Sequence, residues 1–83
     1  MNTVHTYSAI LLEIDRAEQL HPKWPDDLVH AVAIVSEEAG ELVRAANRVQ
    51  FEEASMGEVI DEAVQVGAMV FRLLKNIDNA RGS

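Results

Sequence analysis

Two short acidic runs hold most of the chemistry this chain can offer. In "VSEEAGEL", Val35 to Leu42, three carboxylates (Glu37, Glu38 and Glu41) crowd into five positions, directly after an apolar run from Leu28 to Val35 broken only by His30. Like charges at helical spacing repel. Further on, "EVID" places Glu58 and Asp61 three residues apart, one turn of a helix. If the two segments are helices packed antiparallel, Glu38, Glu41, Glu58 and Asp61 converge across one groove. Left unpaired there, four carboxylates would strongly raise one another's pKa, and a cation between them relieves this. Ligands that are all oxygen suit Mg²⁺, or Mn²⁺, rather than a soft metal. Spacing alone does not separate this reading from a solvated acidic face, which 14 Asp and Glu in 83 residues readily supply.

The elements that must position these acids are three helices, and no run alternates apolar and polar residues as a half-buried strand does. The fold class is therefore all-α. A first helix is expected from about Thr3 to Leu20, with Tyr7, Ile10, Leu11, Ile14 and Ala17 at helical spacing and Glu13, Arg16 and Gln19 on the other side. "HPKWP" breaks it with two prolines. A second helix should start at Asp26 or Asp27, whose charge suits a helix N-terminus, and run to about Phe51. Leu28, Val32, Val35, Ala39, Leu42, Ala46 and Val49 alternate spacings of four and three along it, so this stripe is the expected core face. A third helix begins near Ser55, where "SMGE" reads as a capping box with Glu58 at its third position. Its apolar stripe is Ile60, Val64, Gly67, Phe71 and Leu74, and "NARGS" reads as a frayed end.

On the wheel of the second helix, Glu38 and Glu41 share the arc of Ile34 and Ala45, beside the core stripe, and point partly inward. Glu37 lies further round with His30, Arg44 and Arg48, so it is solvent-facing or supports the others from behind. On the third helix, Glu58 and Asp61 share a polar stripe with Gln65 and Arg72 that borders the apolar face. Both acid pairs flank a core, which a purely solvating charge has no need to do.

Composition bounds the function. The 83 residues contain no internal repeat and read as a single helical domain, residues 1–83, with 48% hydrophobic residues and no cysteine to staple a small fold. The surplus apolar surface points to another copy. Val29 and Val43, with Ser36 and Gly40 between them in angle, form a second flank on the middle helix suited to such a contact, since glycine permits close approach of another backbone. A net charge of −7 and only seven Lys and Arg argue against binding duplex nucleic acid, whose phosphates need clustered bases. No apolar stretch approaches the roughly 20 residues of a membrane span, and the expected location is cytoplasmic.

"EEAGEL" followed by "EVID" resembles the EExxE and ExxD signature of MazG-like nucleotide pyrophosphohydrolases, of the all-α NTP pyrophosphohydrolase superfamily. The resemblance covers about Trp24 to Leu74. Its context is "WPDDLVHAVAIVSEEAGELVRAANR" and "EVIDEAVQVGAMVFRLL". The resemblance implies metal-dependent hydrolysis of a nucleoside triphosphate (NTP or dNTP) to the monophosphate and pyrophosphate, as nucleotide-pool house-cleaning. Carried over residue by residue, it makes Glu38, Glu41, Glu58 and Asp61 the Mg²⁺ ligands, with Glu37 as base or supporting carboxylate. It also implies a homodimer or homotetramer in which three-helix chains complete a four-helix-bundle core. The chain departs from the pattern where many members carry an Asn two turns after the aspartate, and here Ala68 stands. That departure keeps a second class open: a MazG-like module that binds nucleotide or metal without turnover and acts through a partner. A third is an acidic helical oligomer whose glutamates only solvate it.

Substrate contacts are expected from Trp24, which can stack on a base or instead cap the bundle end, and from its neighbour Lys23. Gln65, one turn beyond Asp61, can bond a phosphate or water. Arg72 lies about 16 Å along the axis from Asp61 at helical rise, so it reaches the same substrate only if the chain packs suitably.

Overall fold

The computed structural model describes residues 1–80. Within them the chain forms α1 (Thr3–Leu20), α2 (Leu28–Phe51) and α3 (Met56–Lys75), followed by a single 3₁₀ turn (Ile77–Asn79), and no strand. The 3₁₀ turn takes in Asn79, the first residue of the expected frayed end, and residues 81–83 lie outside the described residues.

Each helix starts where a short polar side chain can satisfy a free N–H. Asn2 accepts from the His5 amide at 2.8 Å, Asp27 from His30 at 2.8 Å and Ser55 from Gly57 at 3.0 Å. The capping box does not close on Glu58, whose carboxylate turns instead toward Arg48. After Phe51, Glu53 takes a left-handed φ of 58°, and the Ala54 amide folds back on the Arg48 carbonyl at 3.1 Å. This reverses the chain within four residues and lays α3 antiparallel to α2.

The hub is α3. Both α1 and α2 pack on it, on opposite flanks, and not on each other. Contacts fix the directions: Ile10 lies beside Gly67 and Glu18 beside Lys75, so α1 runs parallel to α3. Arg48 meets Glu58 while Glu38 meets Glu62, so α2 runs antiparallel. The core is small. Ile14, Ala17, Ala68 and Met69 form it, with Ile10, Trp24, Ile34 and Val35 packed around them.

The observed core face of α2 is rotated from the one its hydrophobic pattern suggested. Ala31 and Ala45 are buried, with Ile34, Val35, Leu42 and Val49 half-buried, while Leu28, Val32 and Ala46 of the expected stripe are exposed. The expected apolar stripe of α3 is likewise largely open: Ile60, Phe71 and Leu74 are exposed, and only Val64 and Gly67 are half-buried. On α1, Tyr7 and Leu11 are exposed while Ile14 and Ala17 are buried. Given the helix directions and 100° per residue, these uncovered apolar faces of α1, α2 and α3 all fall on one side of the three-helix layer. The polar stripe of α3 and the acidic run of α2 fall on the other.

Candidate metal and nucleotide site

Two rows of side chains meet where α2 and α3 cross. From α2 come Ala31, Ile34, Glu38, Leu42, Ala45 and Val49; from α3 come Val59, Glu62, Val66, Met69 and Leu73, each buried or half-buried. Steps of three and four place these residues on single contact faces. Glu38 and Glu62 are therefore part of the interhelix packing, not of a solvated surface. Oxygens from Glu38, Glu41 and Glu62 all lie within 4.8 Å of one another, and the Glu38 and Glu62 Oε2 atoms are buried with no hydrogen-bond partner.

Buried carboxylate oxygens with no donor are costly, and the ionised form bears most of the cost. The Glu38 carboxyl is accordingly raised above its ordinary range, by desolvation first and then by the charges of Glu41 and Glu62. That of Glu62 is raised by desolvation and then by Glu41. Protons or a cation can relieve this, and the three-oxygen donor set fits a hard divalent ion, which prefers oxygen ligands.

The sequence-derived acids divide. Glu38 and Glu41 belong to the cluster; Glu58 and Asp61 do not, although both line the same cleft of about 350 Å³ with Glu41 and Glu62. Glu58 is half-buried and 3.5 Å from the Arg48 guanidinium, and Asp61 is exposed. Rotation explains the difference. Asp61 precedes Glu62 by 100° of turn, which takes it out of the α2-facing row and toward solvent on the side of α1. Sequence reasoning missed Glu62, although it lies four residues from Glu58 and so on the same helical ridge.

Next to the cluster, a cavity of about 550 Å³ opens between α1, the α1–α2 connection, α2 and α3. That volume is in the range of small-molecule pockets. Glu38 and Gln65 sit on its cluster side, and Trp24, Lys23 and Arg72 on its far side. Glu37, exposed, also faces it. Trp24 packs against the core at the end of the bundle and also lines the cavity.

Arg72, expected at the edge of a polar stripe, is instead 4% exposed. Its guanidinium lies 5.0 Å from the Trp24 ring centroid and donates through Nη2 to the His21 carbonyl, while its Nε is buried without a partner. It ties α3 to the end of α1 and to the loop carrying Trp24, by cation–π stacking and a charge-assisted hydrogen bond. Ala68, where an Asn was looked for, is wholly buried in the core, leaving no room for a longer polar side chain without displacement.

Compared with known proteins, the chain matches no family model, no curated protein and no solved structure. The described helices include none long and apolar enough to cross a membrane.

Proposed function

We propose that this chain is a metal-dependent nucleoside triphosphate pyrophosphohydrolase. The observation that carries the reading is the meeting of Glu38, Glu41 and Glu62 within 4.8 Å, beside a cavity roomy enough for a nucleoside. Glu38, Glu41 and Glu62 would hold a hard divalent cation, Mg²⁺ or in its place Mn²⁺, with Glu58 and Asp61 at the open side of the same cleft. When bound, the ion would supply charge neutralisation of the polyphosphate and a lowered pKa for the attacking water.

The chain's own residues supply position and a proton acceptor. Trp24 offers a face for the base, while Lys23 and Gln65 offer donors to the sugar and phosphate oxygens. In the reaction, water oxygen bonds to the α-phosphorus, the bond from that phosphorus to the α–β bridging oxygen breaks, and pyrophosphate leaves with that electron pair. Glu37, outside the cluster but facing the cavity, accepts the water's proton.

The active form is a homo-oligomer, a dimer or a tetramer built from two dimers. The chain exposes 5961 Å², whereas a compact monomer of its mass would expose about 4,900 Å². The excess of about 1,000 Å² is more than the roughly 800 Å² each partner buries in a standard interface. Tyr7, Leu11, Val32, Val43 and Leu74 supply the apolar surface that a second copy would cover, building a bundle core from both chains.

The experiment is pyrophosphate release from a panel of canonical and modified NTPs and dNTPs with Mg²⁺, for wild type, Glu38→Gln and Glu62→Gln. Metal-dependent turnover lost in both variants is the expected result. Binding of nucleotide and metal with no turnover of any substrate would favour the silent module, for which Ala68 in place of an Asn speaks.

A further inference from the structure

We propose that Arg44 and Arg48 form a separate subsite for the leaving pyrophosphate, so that the substrate lies in one direction along the groove. This rests on the hydrolase reading above. The carboxylate cluster stands between two cavities: Glu38 lines the larger, with Trp24, while Glu41, Glu58, Asp61 and Glu62 line the smaller, with Arg44 and Arg48, so pyrophosphate enters it only as its Mg²⁺ complex. A nucleoside triphosphate laid across the cluster has an aromatic end and a highly charged end. Only one orientation puts the base against the indole and the two terminal phosphates against the arginines.

The arginines are free to take that role. Among the described residues Arg44 makes no ion pair, as Lys23 and Arg72 make none. Arg48 makes one, to Glu58 at 3.5 Å, with both side chains more than 40% exposed. Such an exposed pair holds weakly and can be exchanged for a stronger one. The two stand one helical turn apart, and two planar guanidinium forks at that spacing suit the oxygens of a pyrophosphate. Of the bases of the larger cavity, Arg16 and Arg72 already have partners, which leaves Lys23 for the nucleoside end. Arg16 is locked to Glu13 by two hydrogen bonds of 3.0 and 2.6 Å, and Arg72 is held by Trp24 and the His21 carbonyl.

The test is calorimetric titration of inorganic pyrophosphate, with Mg²⁺ present, into wild type, Arg44→Gln, Arg48→Gln and the control Lys75→Gln, which removes the same charge from a surface pair with Glu18. Far-ultraviolet circular dichroism checks that each variant is folded. Each arginine variant is expected to bind at least about tenfold more weakly, while Lys75→Gln binds as wild type. In turnover assays, the arginine variants should lose to a similar degree on every base, because they touch only the leaving group. Equal pyrophosphate affinity in wild type and the arginine variants overturns the subsite; if wild type still hydrolyses NTPs, the hydrolase reading survives that result. Loss of pyrophosphate binding in the arginine variants, with no turnover by wild type, overturns the hydrolase reading and leaves the anion subsite standing. Failure of wild type to bind pyrophosphate overturns the subsite whatever the turnover.

Discussion

Replacing Glu62 by Gln should stabilise the metal-free protein and remove its response to Mg²⁺. The Glu38, Glu41 and Glu62 oxygens lie within 4.8 Å of each other. Two unit charges at that spacing repel by about 3.5 kcal/mol at an effective dielectric of 20. This is a ceiling, because Glu41 is exposed and water screens its charge. After that discount, the repulsion relieved by Glu62→Gln is about 1–2 kcal/mol. In a domain of this size that corresponds to a melting temperature about 4–16 °C higher. The sign follows from linkage. A carboxyl raised in the native state holds its proton to higher pH than in the unfolded chain, so native stability falls as pH rises through the window above the ordinary carboxylate range. The gain from Glu62→Gln is therefore largest above that window and shrinks as pH falls through it, where wild type is protonated too. The assay is thermal melting of wild type, Glu38→Gln and Glu62→Gln at one protein concentration, with EDTA or with excess Mg²⁺. With Mg²⁺ at about 100 times its Kd, wild type gains about 2.7 kcal/mol and overtakes the variants. A Glu62→Gln protein that melts lower than wild type in EDTA near neutral pH would refute the reasoning, since the carboxylate would then be stabilising the fold without a cation.

Three further outcomes test the fold and the assembly. Asp27→Ala removes the cap on α2, a 2.8 Å bond to the His30 amide, and should cost about 1 kcal/mol in thermal or urea unfolding. Glu53→Gly relieves a left-handed backbone at φ 58°; it should stabilise by about 0.5–1 kcal/mol after the entropy cost of a glycine, and a lower melting point would show that the Glu53 side chain contributes more than its strain. Val43→Asp places a charge on a residue 60% exposed in the single chain, so it should leave helicity intact and reduce the sedimenting mass to 9.2 kDa. An unchanged oligomer mass would move the contact to another face, and a monomeric wild type would remove the second copy altogether.

The sequence by itself determined the local features of this protein. Helix limits followed from the Asp and Ser caps, from the two prolines and from apolar runs, because capping and backbone restriction act within a few residues. It also marked Glu38 and Glu41, whose wheel positions beside Ile34 and Ala45 need only helical geometry. Tertiary packing decided which faces turn inward. The strongest hydrophobic stripes of α2 and α3 are the ones left partly open, since a three-helix layer covers only the flanks that its neighbours reach. A hydrophobic pattern records every surface that must be covered, by this chain or by another, and does not say which. The same rotation brought Glu62 into the cluster and left Asp61 outside it, and it buried Arg72 under Trp24. A turn of 100° between neighbouring residues separates a ligand from a solvated charge, and that angle is fixed only when α3 docks against α2.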